Sequence, residues 1–340
     1  MAAECVDCIK FVDIRVSQWG RFSLTHPEGY MIFDTHAHYN DRAFEEDRAL
    51  LLEGFPDRGI GGVVNAAASY RSLSFTKQLT EQYDFIYGAY GIHPSEIDTV
   101  PGVVKISDLT GMPISEADET DHAGDGKNDG NIVQVRTDSC RTEESFSEKK
   151  SGSGAPPVWF LEELRDLCRM NKAVAVGEIG LDYHWDKDNK KQQIAWFECQ
   201  IEQARQLQLP VIIHSREAAE DTLTTARRAM LGDVGGVMHC FSYSVEMARE
   251  YLNMGLYLGI GGVLTFKNAR KLREVVAYAP MEQLVIETDC PYLAPTPHRG
   301  ERNCSLYLPL VIEAVADIKG MTPEEVEGVT WENAKRLYGL

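Results

Sequence analysis

The chain has 340 residues, is 44% hydrophobic and carries a formal net charge of −18. That is apolar material for one large domain or two ordinary ones, and enough negative charge to exclude a surface that grips nucleic acid mainly by its phosphates. No apolar run reaches bilayer-spanning length, Met1–Lys10 lacks the basic start and apolar core of a secretory leader, and eight scattered cysteines fit reduced thiols; together these predict a cytoplasmic protein.

Residues 1–30 read as a mixed N-terminal extension. Its Cys5-Val6-Asp7-Cys8 is not followed by a second pair at zinc-site spacing, so the two cysteines read as ordinary thiols. His26-Pro27-Glu28-Gly29 is a turn feeding the first strand. From Tyr30 onward, short apolar or β-branched runs alternate with longer amphipathic segments. The predicted strands are 30–35, 60–66, 85–91, 173–179, 210–214, 235–239, 255–260 and 284–288. Predicted helices cover 42–54, 69–82, 158–170, 189–208, 216–230, 244–253, 268–278, 304–318 and 330–338. Continuous apolar strands joined by helical crossovers mean a parallel sheet, and eight such units favour a closed (β/α)8 TIM barrel over an open doubly wound sheet. No G-x-G-x-x-G follows the first strand, which removes the usual support for a dinucleotide fold.

The rhythm breaks between about 107 and 155, where Glu116-Ala117-Asp118-Glu119-Thr120-Asp121 and Ser151-Gly152-Ser153-Gly154 typify a polar, acidic, aromatic-poor stretch. Such a segment cannot bury enough apolar surface to offset its ordering entropy, which predicts a disordered insertion after the third strand. His122 lies in it and reads as solvent-exposed, and Ile132-Val133-Gln134-Val135 is a weak candidate strand. The domain plan is therefore an extension over 1–30 and a barrel over 31–340 interrupted by this insertion.

In a (β/α)8 barrel, chemistry gathers where the strands end. Strand one ends in Asp34-Thr35-His36-Ala37-His38, whose alternate side chains Asp34, His36 and His38 share a face. Strand three delivers His93, strand four Glu178, strand five His214, strand six His239, and strand eight Asp289. Six of the eight predicted strands thus send a histidine or carboxylate to one rim. Two histidines, a carboxylate and a terminal aspartate can hold one cation, and two further histidines a second, with the two oxygens of Glu178 as the natural bridge. Paired cations acidify a water and clamp the attacking and leaving oxygens of a displacement, which removes the need for a nucleophilic side chain.

These motifs, with Gly91-Ile92-His93-Pro94, Gly177-Glu178-Ile179-Gly180-Leu181-Asp182-Tyr183, Ile213-His214-Ser215-Arg216, Glu287-Thr288-Asp289-Cys290-Pro291 and Pro297-His298-Arg299-Gly300-Glu301-Arg302-Asn303, resemble the TatD-type metal-dependent hydrolases in family order. The resemblance covers about 31–340 apart from the insertion. It implies an amidohydrolase-like barrel and a divalent-metal-dependent deoxyribonuclease, 3′-to-5′ on single strands, using a metal-activated water. It implies His36, His38, Glu178 and Asp289 around one metal, Glu178, His214 and His239 around the other, and Asp289 orienting or deprotonating the attacking water. His93 is placed near the substrate, where it could touch a phosphate.

Histidine-rich ligation with a bridging carboxylate fits two divalent cations, zinc, manganese, cobalt or magnesium. Arg299, like Arg216 and Arg302, could bind substrate phosphate or instead pair with nearby acids such as Glu217 and Glu301. Gly259-Ile260-Gly261-Gly262 could admit a phosphate to the backbone or simply turn the barrel wall. Cys240 and Cys290 read as small fillers, His184 as a rim side chain, and Trp159, Trp196 and Trp331 as packing against the barrel. The expected partner is DNA at single-stranded ends, with no membrane and no obligate protein partner, the chain acting as a monomer. The alternatives are a dinuclear hydrolase of a small amide, lactone or phosphoester, and a non-catalytic metal-stabilised scaffold. Glu178 stands where small-molecule barrels often carry a modified lysine, which favours the nuclease.

Overall fold

The structure, a computed structural model, describes residues 31–105, 154–170 and 172–340. The N-terminal extension with Cys5 and Cys8, and the acidic insertion with His122 and Ile132–Val135, lie outside the described residues apart from Gly154 and Ala155.

Eight strands pair in parallel in the order of the chain: β1 (Ile32–Ala37), β2 (Ile60–Ala66), β3 (Ile86–Tyr90), β4 (Ala173–Asp182), β5 (Val211–Arg216), β6 (Gly236–Met238), β7 (Tyr257–Ile260) and β8 (Leu284–Ile286). The ring is drawn together beyond the end of β8. Ala37 bridges Cys290, Asp289 N–H donates to His36 O at 3.0 Å, and His38 N–H donates to Cys290 O at 2.9 Å. The crossovers are α1 (Arg48–Glu53), α2 (Tyr70–Gln82), α3 (Val158–Cys168), α4 (Lys190–Leu207), α5 (Ala219–Arg228), α6 (Val245–Asn253) and α7 (Arg270–Tyr278), and after β8 come α8 (Leu308–Lys319) and α9 (Pro323–Tyr338). The TIM barrel predicted from the sequence is the fold observed. No helix among the described residues is long and apolar enough to cross a membrane.

Two apolar clusters follow from this wrapping. The larger fills the space between strands and helices, with Trp196, Phe160 and Leu52 fully buried. The smaller takes Phe33, Val64, Ala89, Ala175, Ile212, Val237 and Val285 from strands all round the ring, so it is the barrel's interior layer. Ala334, Leu337 and Tyr338 of α9 pack on that layer. Tyr338 donates its hydroxyl to Thr35 O at 2.9 Å, and Asn333 Nδ2 donates to Leu284 O at 2.7 Å. Among the described residues one end of the barrel is thereby plugged, and the opposite end is the one reached by His36, His38 and Asp289.

The structure departs from the sequence-based elements in three places. The helix expected at 330–338 begins at Pro323, because Thr322 accepts the Glu325 N–H and Glu325 reaches back to the Thr322 N–H, a capping box with proline at the first helical position. The helix expected at 42–54 breaks into a 3₁₀ turn at Arg42–Phe44 and the short α1. Trp159, expected to pack on the barrel, is 42% exposed and makes T-shaped ring contacts with Tyr70 and Phe160.

Gly180 fixes the seam between β4 and β5. Its φ is +143°, and a Cβ there would lie 2.0 Å from the carbonyl oxygen of His214. Backbone cannot yield as a flexible side chain can. Gly180→Ala is therefore expected to cost at least about 2 kcal/mol and to lower the thermal midpoint by several degrees, read by circular dichroism.

Candidate metal centre

Glu178 sits at the centre of the open end. Its backbone N–H donates to Ala67 O at 3.0 Å, which fixes β4 against the end of β2. The two carboxylate oxygens then face different histidines. Oε2 lies 3.5 Å from Nε2 of both His36 and His38. Oε1 lies 2.9 Å from His214 Nδ1, 3.6 Å from His239 Nε2 and 3.8 Å from His93 Nε2. Asp289 Oδ1 stands 3.4 Å from His38, 3.7 Å from His36 and 3.8 Å from His239. All six residues expected to bind metal converge, and His93 joins them.

The protons on these rings can be assigned from their other contacts. His38 Nδ1 lies 2.9 Å from Ala66 O, which can only accept, so Nδ1 carries a proton and, in the neutral ring, the Nε2 lone pair faces the cluster. His36 Nε2 and His38 Nε2 are 3.0 Å apart, and His36 Nδ1 is buried with no hydrogen-bond partner among the described residues. His93 is different: Ser95 N–H donates to its Nδ1 at 3.1 Å, which places the proton on Nε2, facing Glu178. His93 is therefore built as a donor, which suits a substrate oxygen better than a cation.

The imidazoles and carboxylates of the site shift one another's protonation. Burial pulls the Glu178 carboxyl up, but the imidazoles of His239, His93 and His36 outweigh it and hold the group well below the usual carboxylate range. Burial likewise raises Asp289, and His239 and His38 reverse that, leaving it lowered. Burial lowers His36, with the neighbouring His239 adding to the effect. His239 goes the other way: burial lowers it, but the charges of Glu287, Glu178 and Asp289 push it up to about 10. The side chains of Asp289 and His214 keep 17% and 16% exposure, so the cluster is reachable from solvent.

The donor set fits divalent cations. Among the described residues, groups able to hold one ion are His36, His38 and Glu178; His36, His239 and Asp289; Glu178, His214 and His239; and His93, Asp182 and His214. The second group blurs the two sets assigned from sequence, because the His239 ring stacks on His36 with centroids 3.7 Å apart. Imidazoles mixed with carboxylates suit zinc, manganese or cobalt and tolerate magnesium.

The surroundings hold residues whose partners the strand-end reading did not give. Asp34 shares its strand with the histidines but does not enter the cluster. It accepts from Thr288 Oγ1 at 2.7 Å, Thr288 N at 3.0 Å and Ser305 Oγ at 2.6 Å, tying β1 to the loop that carries Asp289. Asp182 accepts from His214 Nε2 at 3.0 Å, and Glu287 Oε1 lies 3.1 Å from His239 Nδ1. Both stand within the motifs quoted above, and the signal that could have found them is a carboxylate two residues before Asp289 and four after Glu178.

Glu217 and Glu301 pair with histidines and not with the neighbouring arginines. Arg302 pairs with Asp47 at 2.5 Å, Glu301 with His298 at 2.9 Å, and Glu217 with His184 at 2.8 Å. Arg299 is exposed and lies over the Phe266 ring at 4.5 Å, and Arg216 lies 5.6 Å from the ring of the exposed Trp185. A Cβ on Gly259 would strike the Glu287 carboxylate at 2.2 Å, and one on Gly262 would strike Leu293 O at 2.2 Å. These glycines make room for neighbouring protein groups, which supports the wall-turn reading of that motif. Cys240 and Cys290 are free thiols, Cys290 fully buried.

Comparison with known proteins places this geometry in a family. A family profile described as TatD related DNase matches residues 33–339. The chain is 37% identical over 310 residues to the uncharacterised metal-dependent hydrolase YabD of Bacillus subtilis (strain 168), covering 91% of this chain and 100% of that protein. It is 35% identical over 183 residues to a 3′-5′ ssDNA/RNA exonuclease TatD of Rahnella sp. (strain Y9602), covering 52% of this chain and 69% of the relative. Among solved structures it resembles YJJV, a TatD homologue of Escherichia coli K12, with a TM-score of 0.69 and 25% identity over 91% of this chain and 98% of that one.

Proposed function

Because the chain belongs to the TatD related DNase family of metal-dependent hydrolases, we propose that it is a dinuclear deoxyribonuclease that removes nucleotides from the 3′ ends of single-stranded DNA. One observation carries the reading: the two oxygens of Glu178 face separate histidine sets, His36 with His38 and His214 with His239. One divalent cation would be held by His36, His38, Glu178 and Asp289, the other by Glu178, His214 and His239. Such a pair supplies Lewis acidity and lowers the pKa of water enough for attack at neutral pH.

The chain's own groups do the rest. Asp289, kept ionised by the imidazoles around it, orients the attacking water and takes its proton. His93, its Nδ1 occupied by Ser95, offers Nε2–H to a phosphate or leaving oxygen. Arg299, lying over Phe266 at the rim, offers paired donors to a phosphate. The relative named as a 3′-5′ ssDNA/RNA exonuclease supports single-stranded nucleic acid as the substrate class. A chain of net charge −18 offers no long-range attraction to a polyanion, so substrate is gripped locally, at the cations and a few rim arginines. That same charge is the one observation favouring the second reading, hydrolysis of a small amide, lactone or phosphoester. We further propose that the protein is cytoplasmic and acts as a monomer without an obligate protein partner.

The test uses single-stranded DNA labelled at either end, with zinc, manganese, cobalt or magnesium restored singly after chelation. Stepwise loss of the 3′ label is expected with at least one ion, and Asp289→Asn should lower kcat by about 10²–10⁴-fold. DNA left intact with all four ions, while small esters or lactones are turned over, would transfer the proposal to the second reading.

A further inference from the structure

Two of the cluster histidines present opposite ring nitrogens to Glu178. His214 turns Nδ1 toward it, at 2.9 Å, and His239 turns Nε2, at 3.6 Å. An imidazole can offer a lone pair on one nitrogen only when the other holds the proton, and the group beyond that other nitrogen decides the matter. In both cases a buried carboxylate stands there.

Behind His214 is Asp182, at the end of β4. Its Oδ2 accepts from His214 Nε2 at 3.0 Å, while its Oδ1 takes backbone N–H groups of His184 at 2.9 Å and Trp185 at 3.0 Å. Gln193 holds the Asp182 backbone from both sides, accepting its N–H at 2.9 Å and donating to its carbonyl at 3.0 Å. The carboxylate is thus fixed with one oxygen left for the imidazole. Behind His239 is Glu287, fully buried, with Oε1 3.1 Å from His239 Nδ1 though short of full hydrogen-bond alignment. That oxygen also receives the Cys240 N–H, and Oε2 has no hydrogen-bond partner among the described residues. Gly259 lacks the Cβ that would collide with this carboxylate. A buried charge with unused acceptor capacity is costly as packing alone, and the space cleared for it points to a task.

We propose that Asp182 and Glu287 are positioning residues that lock His214 and His239 into opposite tautomers, His214 with its proton on Nε2 and His239 with its proton on Nδ1, so that both lone pairs face the cation on the Oε1 side of Glu178. Asp182 also stands with His93 and His214 in a group able to hold an ion, but its Oδ2 is taken by His214 Nε2 and its Oδ1 by two backbone N–H groups, so in this proposal each carboxylate acts through its histidine. The inference rests on the two-cation reading above, but not on DNA being the substrate.

Asn in place of Asp182 and Gln in place of Glu287 keep size and remove the obligate acceptor, since the amide can turn its NH2 toward the ring. Zinc binding by calorimetry should show two cations on the unmodified protein. In Asp182→Asn and in Glu287→Gln, the affinity of one of the two is expected to fall by about 10–100-fold, with the other unchanged. Two-bond ¹H–¹⁵N correlation of the zinc-loaded, unmodified protein supplies a readout that needs no variant. It should place the His214 proton on Nε2 and the His239 proton on Nδ1, and the signature of the affected ring should change in each variant. Both rings carrying their proton on the same nitrogen, or both variants binding zinc within about threefold of the unmodified protein, would overturn the proposal. If the unmodified protein takes up no second zinc, the two-cation reading fails and this inference fails with it. Two zinc ions bound, with DNA left intact under zinc, manganese, cobalt and magnesium alike, would sink the nuclease alone.

Discussion

Replacing Glu178 by Gln is expected to abolish the paired site while leaving the barrel folded. The amide is isosteric but has one acceptor oxygen where the carboxylate has two. Whichever way it turns, NH2 faces either His36 and His38 or His214 and His239, at separations of 2.9–3.6 Å. When it binds a cation, His38 offers only a lone pair on that side, because its Nδ1 proton is committed to Ala66 O. One set therefore loses its bridge, and the affinity for at least one cation should fall by more than the 10–100-fold typical of an outer partner, beyond about 100-fold. Turnover should fall with it. The fold should survive, because removing one member of a buried pair costs about 3–5 kcal/mol only when its partner is left uncompensated, and His239 keeps Glu287 and Asp289 beside it. Metal analysis and thermal unfolding on the same sample check both halves. A variant that retains two cations at the original affinity would remove Glu178 from the bridge.

Why this residue was visible in the sequence, and others were not, has a physical basis. A parallel barrel sends each strand's last residues to one rim, so histidines and carboxylates at the ends of strands one, three, four, five, six and eight could be collected without coordinates. All of them did converge on Glu178. The strand's alternation also indicated that Asp34 shares a face with His36 and His38, but not what it binds. Its partners Thr288 and Ser305 come from 254 and 271 positions away. Asp182 and Glu287 stayed hidden for a related reason: a residue's role behind a ligand depends on which ring nitrogen it meets, and spacing along the chain does not encode that. The rim arginines show the same limit. Glu301 follows Arg299 closely in sequence, yet it pairs with His298, while Arg299 lies over Phe266. By contrast, the start of α9 was written in Thr322-Pro323-Glu324-Glu325, a local signal that a hydrophobic-periodicity reading overlooks.

Binding of the cations should expel protons, and the effect should grow weaker as pH rises toward about 10. His239 is the reason. Burial lowers it, but Glu287, Glu178 and Asp289 together hold its pKa at about 10, so at neutral pH the chelated protein carries a proton on that ring. A cation needs the Nε2 lone pair, so loading releases close to one proton from His239 alone, and the apparent affinity falls about tenfold for each pH unit below about 10. His38 and His214 are raised as well: burial lowers both, and hydrogen bonds that their protonated rings donate to Asp289 and Asp182 respectively reverse it, which steepens the dependence at lower pH. The same proton affects stability. A histidine raised above 6.5 in the folded state contributes stability that is fully present below 6.5 and is lost as pH rises through about 10. The chelated protein should therefore lose stability between pH 8 and about 10 while the loaded protein, with no proton there to lose, should not. Asp34 does not confuse this window. Burial pushes it up to about 7, so its own contribution is gone as pH passes from 3.8 through about 7. The gap in Tm between loaded and chelated protein should widen with pH above 8, and calorimetry in buffers of different ionisation enthalpy should report the released proton directly. A constant gap, together with heats that do not depend on the buffer, would mean that His239 enters the site already neutral and that its carboxylate neighbours serve orientation alone.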